Sequence, residues 1–199
     1  MLVGPDKCGK SILLKTILGL VDPRGGEILL LGERLRALGR AGRRRLLARV
    51  GTVFEEDGLM NAWTVYDNLT LPLVYHDDLP EGAVERRLDD LVRSSGLPRE
   101  WLHQPLTRLH RQQRRFVALL RALIVEPALL LIDGLDSETL HGFADGTVET
   151  LLRGQLRKGT AVVVQPRFDW KRSFGDLALG TLVMENGTLV EPSRREHGV

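Results

Sequence analysis

The eight residues from Gly4 to Ser11 carry the most specific chemical pattern in the sequence. They read G-P-D-K-C-G-K-S, which fits the phosphate-binding pattern G-x-x-x-x-G-K-[ST]. In such a loop, backbone N–H groups at a helix N-terminus hold nucleotide phosphates, the lysine contacts the β- and γ-phosphates, and the hydroxyl binds Mg²⁺. The pattern therefore predicts a site for ATP and Mg²⁺ formed by Gly4, Pro5, Asp6, Lys7, Cys8, Gly9, Lys10, Ser11 and Ile12.

A magnesium ion in such a site needs a second acidic ligand at the end of a buried strand. Asp133 follows the apolar run 129–132, so it is predicted to hold Mg²⁺ together with Ser11. Lys7 is unusual, because close approach of the backbone to a phosphate favours glycine at its position. The loop is therefore predicted to be altered as well as present.

Alternating strand and helix patterns surround these two sites and predict an α/β domain with a mostly parallel core sheet. The predicted strands are Glu27–Leu31, Val50–Phe54, Ala128–Ile132, Thr160–Val164, Thr181–Glu185 and Thr188–Val190, and Met1–Val3 ends a strand before the loop. The predicted helices are Ser11–Leu20, Arg40–Ala48, Gly82–Ser95, Arg111–Val125 and Phe143–Arg157. Residues 1–199 are predicted to form one domain, with an inserted helical subdomain at about 57–123 and a loose tail at 192–199.

Composition narrows the classes of partner. The 199 residues carry a formal net charge of +2, which gives no argument for binding nucleic acid, and none is expected. Arginines at 40, 43, 44, 45 and 49 are interpreted as a solvated helix face rather than an anion-binding patch. The single cysteine, Cys8, excludes an internal disulfide and suits a reducing cytoplasm. No membrane span or signal peptide is recognised, so we expect a soluble cytoplasmic protein that docks on a membrane partner.

The segment between the two sites resembles the signature helix of ABC-transporter ATPases. Residues 105–113 read P-L-T-R-L-H-R-Q-Q where the family has L-S-G-G-Q, and Glu126-Pro127 then precedes the Asp133 strand. Gln113 lies 20 positions before Asp133, which is the register of the family. Residues 51–55 stand where the family has its Q-loop, and 25–28 resemble a further strand pair. The resemblance implies a P-loop NTPase of ABC-ATPase type.

A subgroup is suggested by residues 64–73, which read T-V-Y-D-N-L-T-L-P-L, followed by Tyr75-His76. This segment is similar to ATPases of the Mce/Mla-type lipid-transport systems, although related importers and exporters share part of it. The resemblance implies an integral-membrane permease as partner, a homodimer or a heterodimer with another ABC ATPase, and a peripheral location on the inner face of the plasma membrane. Trp63, Tyr66 and Tyr75 are expected either near the permease or in the core.

The chain departs from the family at the positions that hydrolyse ATP. Gly134 stands where the family has its water-polarising carboxylate, and Pro166 stands where its histidine contacts the γ-phosphate. Neither side chain can do this chemistry, so no catalytic residue is predicted. Glu55 replaces the Q-loop glutamine and is predicted as a further Mg²⁺ ligand. The signature serine and glycines are replaced by His110, Arg111 and Gln112, which predicts impaired or lost hydrolysis.

Other readings stay open at the level of sequence. The family has about two strands before the loop, with an aromatic that stacks on adenine, so the N-terminal β region is predicted to be truncated, or the start is misassigned. A non-catalytic regulatory or scaffold module would use the same fold. A small-molecule kinase would use Arg108, Arg111, Arg114 and Arg115 as phosphate clamps, although the register between Gln113 and Asp133 argues against it.

Overall fold

A computed structural model describes residues 1–75, 79–141, 146–167, 169–175 and 180–190. The strands are β1 (Leu2–Val3), β2 (Leu29–Leu30), β3 (Glu33–Arg34), β4 (Val50–Val53), β5 (Leu129–Asp136), β6 (Ala161–Arg167), β7 (Leu182–Glu185) and β8 (Thr188–Val190). The helices are α1 (Lys10–Ile17), α2 (Arg40–Leu47), α3 (Val65–Tyr75), α4 (Ala83–Ser95), α5 (Arg111–Leu123), α6 (Ser137–His141), α7 (Thr147–Arg157) and α8 (Trp170–Phe174). Short 3₁₀ turns lie at Leu35–Ala37, Arg99–Trp101 and Leu106–Arg108.

The central sheet consists of β4, β5 and β6, in that order and all parallel. β1 lies beside β6 and pairs in parallel with β7, which pairs antiparallel with β8. The turn between β7 and β8 is Asn186-Gly187, and both residues have positive φ, as the sequence predicts for a tight hairpin. β2 and β3 form a separate antiparallel pair. The predicted α/β fold with a mostly parallel sheet is confirmed.

β5 is buried on both faces because its side chains alternate between two apolar clusters. Leu130 and Ile132 join the cluster formed with α3, α4, α5 and α7. Leu129 and Leu131 join the second cluster, which includes residues of β1, α1 and α2. A parallel strand covered on both faces reads as a continuous apolar run, which is why 129–132 contains no polar residue. This packing fixes Asp133 directly after the buried part of the strand.

The ends of β5 and β6 differ from the prediction. Both strands were expected to end before the site, at Ile132 and Val164, but they continue to Asp136 and Arg167. The register shifts between Ile132 and Leu135, where Gly134 has a φ of 74° that favours glycine. Beyond this irregularity, Leu135 pairs with Pro166 and Asp136 pairs with Arg167. Extended, paired backbone therefore occupies the positions where loops were expected.

The sequence also missed α3, which lacks a clear helical stripe and contains Pro72. Its start does carry a signal, because Thr64 and Asp67 form a capping box: the N–H of Thr64 donates to the Asp67 carboxylate, and the N–H of Asp67 donates to Thr64 Oγ1.

The predicted strand Glu27–Leu31 shortens to β2, since the chain turns at Leu31 and Gly32, both with positive φ. Phe143 and the tail 192–199 lie outside the described residues.

The helices α3, α4 and α5 lie between β4 and β5 in the chain and pack on one another. They share their buried cluster with β5, β6 and α7, so no separate core divides them from the sheet. Among the described residues, no helix combines the length and the apolar character that crossing a membrane requires.

Candidate functional site

The loop between β1 and α1 is packed tightly against β7. A Cβ at Gly4 would lie 2.1 Å from the Met184 carbonyl oxygen, so only glycine fits there. Gly9 has a φ of 108° and is the N-cap of α1. Lys7 has a φ of 60°, which is the left-handed region that non-glycine residues rarely adopt. The loop therefore contains a strained lysine at a position where glycine would be relaxed.

Lys10 is buried at the start of α1, and its ammonium group is held inside the loop. Its Nζ donates to the carbonyl oxygens of Gly4, at 2.9 Å, and Pro5, at 2.7 Å. It also lies 3.6 Å from Cys8 Sγ. These contacts hold the ammonium group within the loop. A bound phosphate would replace the two carbonyl oxygens as its hydrogen-bond acceptor.

Ser11 and Asp133 come together although they are far apart in the chain. Ser11 Oγ donates a hydrogen bond to Asp133 Oδ1 at 3.0 Å, and Asp133 is 4% exposed. Mg²⁺ in phosphate sites takes only one or two protein oxygens, with water and phosphate completing its octahedron. A hydroxyl and a carboxylate in contact fit that requirement, and the bound ion would neutralise phosphate charge.

The loop opens onto a cavity of about 770 Å³. The cavity is lined by Gly4, Asp6, Lys7, Gly9, Lys10, Ser11 and Ile12 from the loop and α1, and by Glu55, Gln165, Pro166 and Arg167 from the ends of β4 and β6. Its volume lies in the range of small-molecule sites. Pro5 contributes its carbonyl to Lys10, and Cys8 is buried behind the loop, where its carbonyl accepts from the Gly187 N–H.

Glu55 and Arg167 form an ion pair at the rim of this cavity, with 2.6 Å between Oε1 and Nη2. Arg167 also covers Gly134, since a Cβ there would lie 3.4 Å from Arg167 Nε. The role of Glu55 as a Mg²⁺ ligand stays a prediction, and in this structure its partner is a guanidinium. Sequence reasoning missed Gln165 and Arg167, because only the continuation of β6 brings them to the loop.

The altered signature segment is tied to the residues after Asp133. Gln112 Nε2 donates to the Glu138 carboxylate at 2.8 Å, and Arg111 lies 3.8 Å from Asp136. Arg115 is 4% exposed, and its guanidinium donates to the carbonyls of Glu55 and Gly134. Burial lowers the pKa of Arg115.

Two of the arginines that a kinase would use as phosphate clamps are engaged within the chain. Arg114 pairs with Asp57 at 2.8 Å, and both side chains are mostly buried. Arg115 is the buried residue just described. These contacts remove the two side chains from any phosphate group in the cavity and argue against the kinase alternative.

Asp136 and Glu138 are the carboxylates that follow Gly134 in the chain. Burial opposes ionisation of Asp136, but hydrogen bonds from Thr139 and the charges of Arg115 and Arg111 prevail and lower its pKa. A carboxylate with a lowered pKa is a weaker proton acceptor. Glu138 is held by Gln112. The geometry therefore offers neither residue as a base for water.

The comparisons with known proteins all point to one family. Residues 1–135 match the family model described as ABC transporter. The chain is 32% identical over 197 residues to methionine import ATP-binding protein MetN 2 of Pseudomonas syringae pv. tomato, covering 97% of this chain and 57% of that protein. It is 37% identical over 134 residues to lipoprotein-releasing system ATP-binding protein LolD 1 of Rhodopseudomonas palustris, covering 66% of this chain and 58% of that protein.

The chain thus spans under two thirds of the length of these relatives. Among solved structures, it superposes with a TM-score of 0.78 on a dimeric ATP-binding cassette in a post-hydrolysis state bound to ADP and Pi. The two are 22% identical, and the match covers 96% of this chain and 82% of that one. The fold is therefore that of an ABC ATPase cassette, and the chain belongs to the ABC transporter family of ATP-binding domains.

Proposed function

We propose that the chain is the nucleotide-binding subunit of an ABC transporter and that it binds MgATP or MgADP with hydrolysis impaired or lost. The observation that carries the binding proposal is the contact between Ser11 and Asp133 beside the buried Lys10. These three side chains provide the hydroxyl, carboxylate and ammonium that a magnesium nucleotide needs. They line or border one cavity large enough for a small ligand.

The loss of hydrolysis is proposed from what replaces the catalytic groups. Gly134 and Pro166 have no side-chain donor or acceptor, and both lie in the extended ends of β5 and β6. Removing one well-placed acid–base or electrostatic group typically lowers an enzymatic rate by about 10²–10⁴-fold. Two such losses at one site leave phosphoryl transfer negligible even where their effects are far from additive.

One set of measurements tests both parts. Calorimetric titration with MgATP is expected to give saturable heat for the wild type and none for Lys10→Ala, while steady-state phosphate release stays at background for both. A matched control is Lys15→Ala, which removes a lysine from the last turn of the same helix. Equal heat in wild type and Lys10→Ala would refute the binding site. Robust turnover that Lys10→Ala abolishes would refute the loss of hydrolysis.

We also propose that a membrane permease docks on the groove beside α3. This groove has a volume of about 480 Å³ and is lined on one side by Met60, Trp63, Leu71, Pro72 and Tyr75. Met60, Trp63 and Tyr75 are all exposed large apolar side chains, whereas Tyr66 packs against the core. Exposed apolar clusters of this kind commonly mark protein interfaces. The subunit would then be cytoplasmic and peripheral on the inner face of the plasma membrane.

The cargo that we propose is a lipid. The support is the resemblance of residues 64–73 to the ATPases of Mce/Mla-type systems, and one relative is named for lipoprotein release. Other relatives are named for methionine import. Identification of the molecules bound to the intact transporter, purified with this subunit, tests the proposal: phospholipid at a fixed ratio to the complex is expected, and methionine alone would refute it.

The partner ATPase is proposed as a second copy of this chain or a related ATPase.

A regulatory or scaffold role, without transport, is the second candidate, and it is favoured by the contacts of Gln112 and Arg111 with Glu138 and Asp136. Those contacts occupy the altered signature residues within the chain itself. Co-purification of a permease separates the two candidates.

A further inference from the structure

Two polar side chains in the cavity have no place in the phosphate-binding pattern, Gln165 and Arg167. They lie two positions apart on β6 and line the same cavity as Lys10 and Ser11. Gln165 is 7% exposed, and no group in the described part of the chain donates a hydrogen bond to its Oε1. A buried acceptor without a partner costs free energy unless water or a ligand satisfies it. Gln165 is thus a buried polar residue of the cavity wall, whereas Arg167 presents an exposed positive charge there.

The guanidinium of Arg167 lies at the magnesium end of this cavity. It covers Gly134, the residue after Asp133, whose carboxylate accepts the hydrogen bond from Ser11. Ser11 and Asp133 are the residues that would hold Mg²⁺, and the ion would neutralise the charge of the terminal phosphates, so a terminal phosphate would lie at this end of the cavity. Arg167 is thus the cationic side chain of β6 that would lie beside the terminal phosphate of a triphosphate.

Glu55 forms an ion pair with this guanidinium. The two side chains are 41% and 45% exposed, and ion pairs with this exposure contribute little net stability. The charged side chains that line the cavity with this pair are Asp6, Lys7 and Lys10. Arg115 also acts electrostatically with Glu55 and Arg167, but it is engaged with the carbonyls of Glu55 and Gly134. A phosphate group, with a higher charge and a geometry that matches the guanidinium fork, competes well for Arg167.

We propose that Arg167 binds the terminal phosphate of a nucleoside triphosphate and that Glu55 is its intramolecular competitor in the nucleotide-free chain. This inference rests on the proposed nucleotide-binding function and adds to it a residue that distinguishes triphosphate from diphosphate. On binding, the guanidinium exchanges the Glu55 carboxylate for phosphate oxygens, and no covalent bond forms or breaks. The contact contributes binding and discrimination, and it supplies neither a base nor a water-polarising group.

The test is calorimetric titration of MgATP and MgADP into the wild type and Arg167→Gln. The substitution is expected to weaken MgATP binding by about tenfold, as loss of a charge-assisted hydrogen bond would, and to change MgADP binding by less than about twofold. Arg167→Lys keeps the charge without the fork and should recover part of the discrimination. Glu55→Gln alone should tighten MgATP binding. Combined with Arg167→Gln it should tighten binding less, because Glu55 then has no arginine to hold back from the phosphate.

The matched control is Arg93→Gln, which removes an exposed arginine from a similar ion pair with Asp90 on α4, outside the cavity. It should leave both affinities unchanged. Unchanged MgATP affinity in Arg167→Gln would overturn the inference and leave the proposed function standing. An equal loss for both nucleotides would overturn the assignment to the terminal phosphate. Weaker MgATP binding by Glu55→Gln would overturn the competitor role and favour the predicted role of Glu55 as a Mg²⁺ ligand. If the wild type bound neither nucleotide, the inference and the proposed function would fall together.

Discussion

At the scale of single residues, Gly134 is more than a missing carboxylate. Its φ of 74° lies in the left-handed region, and the guanidinium of Arg167 occupies the space beside its Cα. A side chain at this position would therefore be strained by the backbone and would contact Arg167. We do not expect a glutamate placed here to take the position of a catalytic carboxylate.

Gly134→Glu is accordingly expected to leave phosphate release at background and to lower the free energy of unfolding by about 1–2 kcal/mol, the cost of a left-handed non-glycine residue. Its carboxylate would pair with Arg167 instead of orienting water. Steady-state phosphate release and denaturant unfolding measure the two effects. Gly134→Ala separates strain from charge, since it should be destabilised to a similar extent. Turnover in Gly134→Glu that depends on Lys10 would contradict this expectation.

At the scale of elements, the contact between the C-terminal end of β5 and the N-terminal part of α5 depends on charges as well as on apolar packing. Asp136 ends β5, its Oδ1 accepts from the Thr139 N–H, and its Oδ2 lies 3.9 Å from the buried Arg115. The pKa of Asp136 is lowered, so its ionised form is favoured in the folded state. Its contribution to stability is therefore present above the ordinary carboxyl pKa and is lost as the pH falls through the lowered value.

Asp136→Asn keeps a hydrogen-bond acceptor for Thr139 and removes the charge. We expect it to lower the free energy of unfolding by roughly 1 kcal/mol at neutral pH, as for a partly buried hydrogen bond to a charged group. The difference from wild type should shrink as the pH falls below the ordinary carboxyl pKa of 3.8. Chemical unfolding over a pH series measures it. Asp90→Asn, from an exposed pair, should cost clearly less, and a pH-independent difference would contradict the assignment.

The elements also show what the sequence could and could not predict. The apolar run of β5 and the stripe of α5 follow from local periodicity: α5 lies close to its predicted bounds, and β5 starts within one residue of its predicted start. The phosphate-binding loop and Asp133 follow from a short pattern. The extension of β5 and β6 does not, because it depends on pairing between Leu135 and Pro166 across the sheet. Arg167 was missed for the same reason, since only that extension brings it to the cavity.

At the scale of the whole molecule, the apolar groove runs along β4, and the cavity begins just past the C-terminal end of that strand. Residues 50–52 and Phe54 line the groove, and Glu55 directly afterwards lines the cavity. α5 connects the same regions, because Ala122 lines the groove while Arg115 donates to the Glu55 carbonyl. Residues of β4 and α5 therefore link the cavity with the proposed permease surface.

The permease surface itself predicts a specific loss of assembly. Trp63→Ser is expected to reduce recovery of an integral-membrane partner with the tagged chain from native membranes by about tenfold or more, because buried tryptophans dominate many interfaces. Nucleotide affinity should be unchanged, since Trp63 lines the groove and not the cavity. Leu189→Ser is the matched control: Leu189 is an exposed apolar residue on β8, 47% exposed against 39% for Trp63, and its replacement should leave recovery intact. Equal recovery with Trp63→Ser would move the docking surface elsewhere. Recovery lost in both variants would point to general destabilisation, which thermal unfolding of the purified chains would reveal.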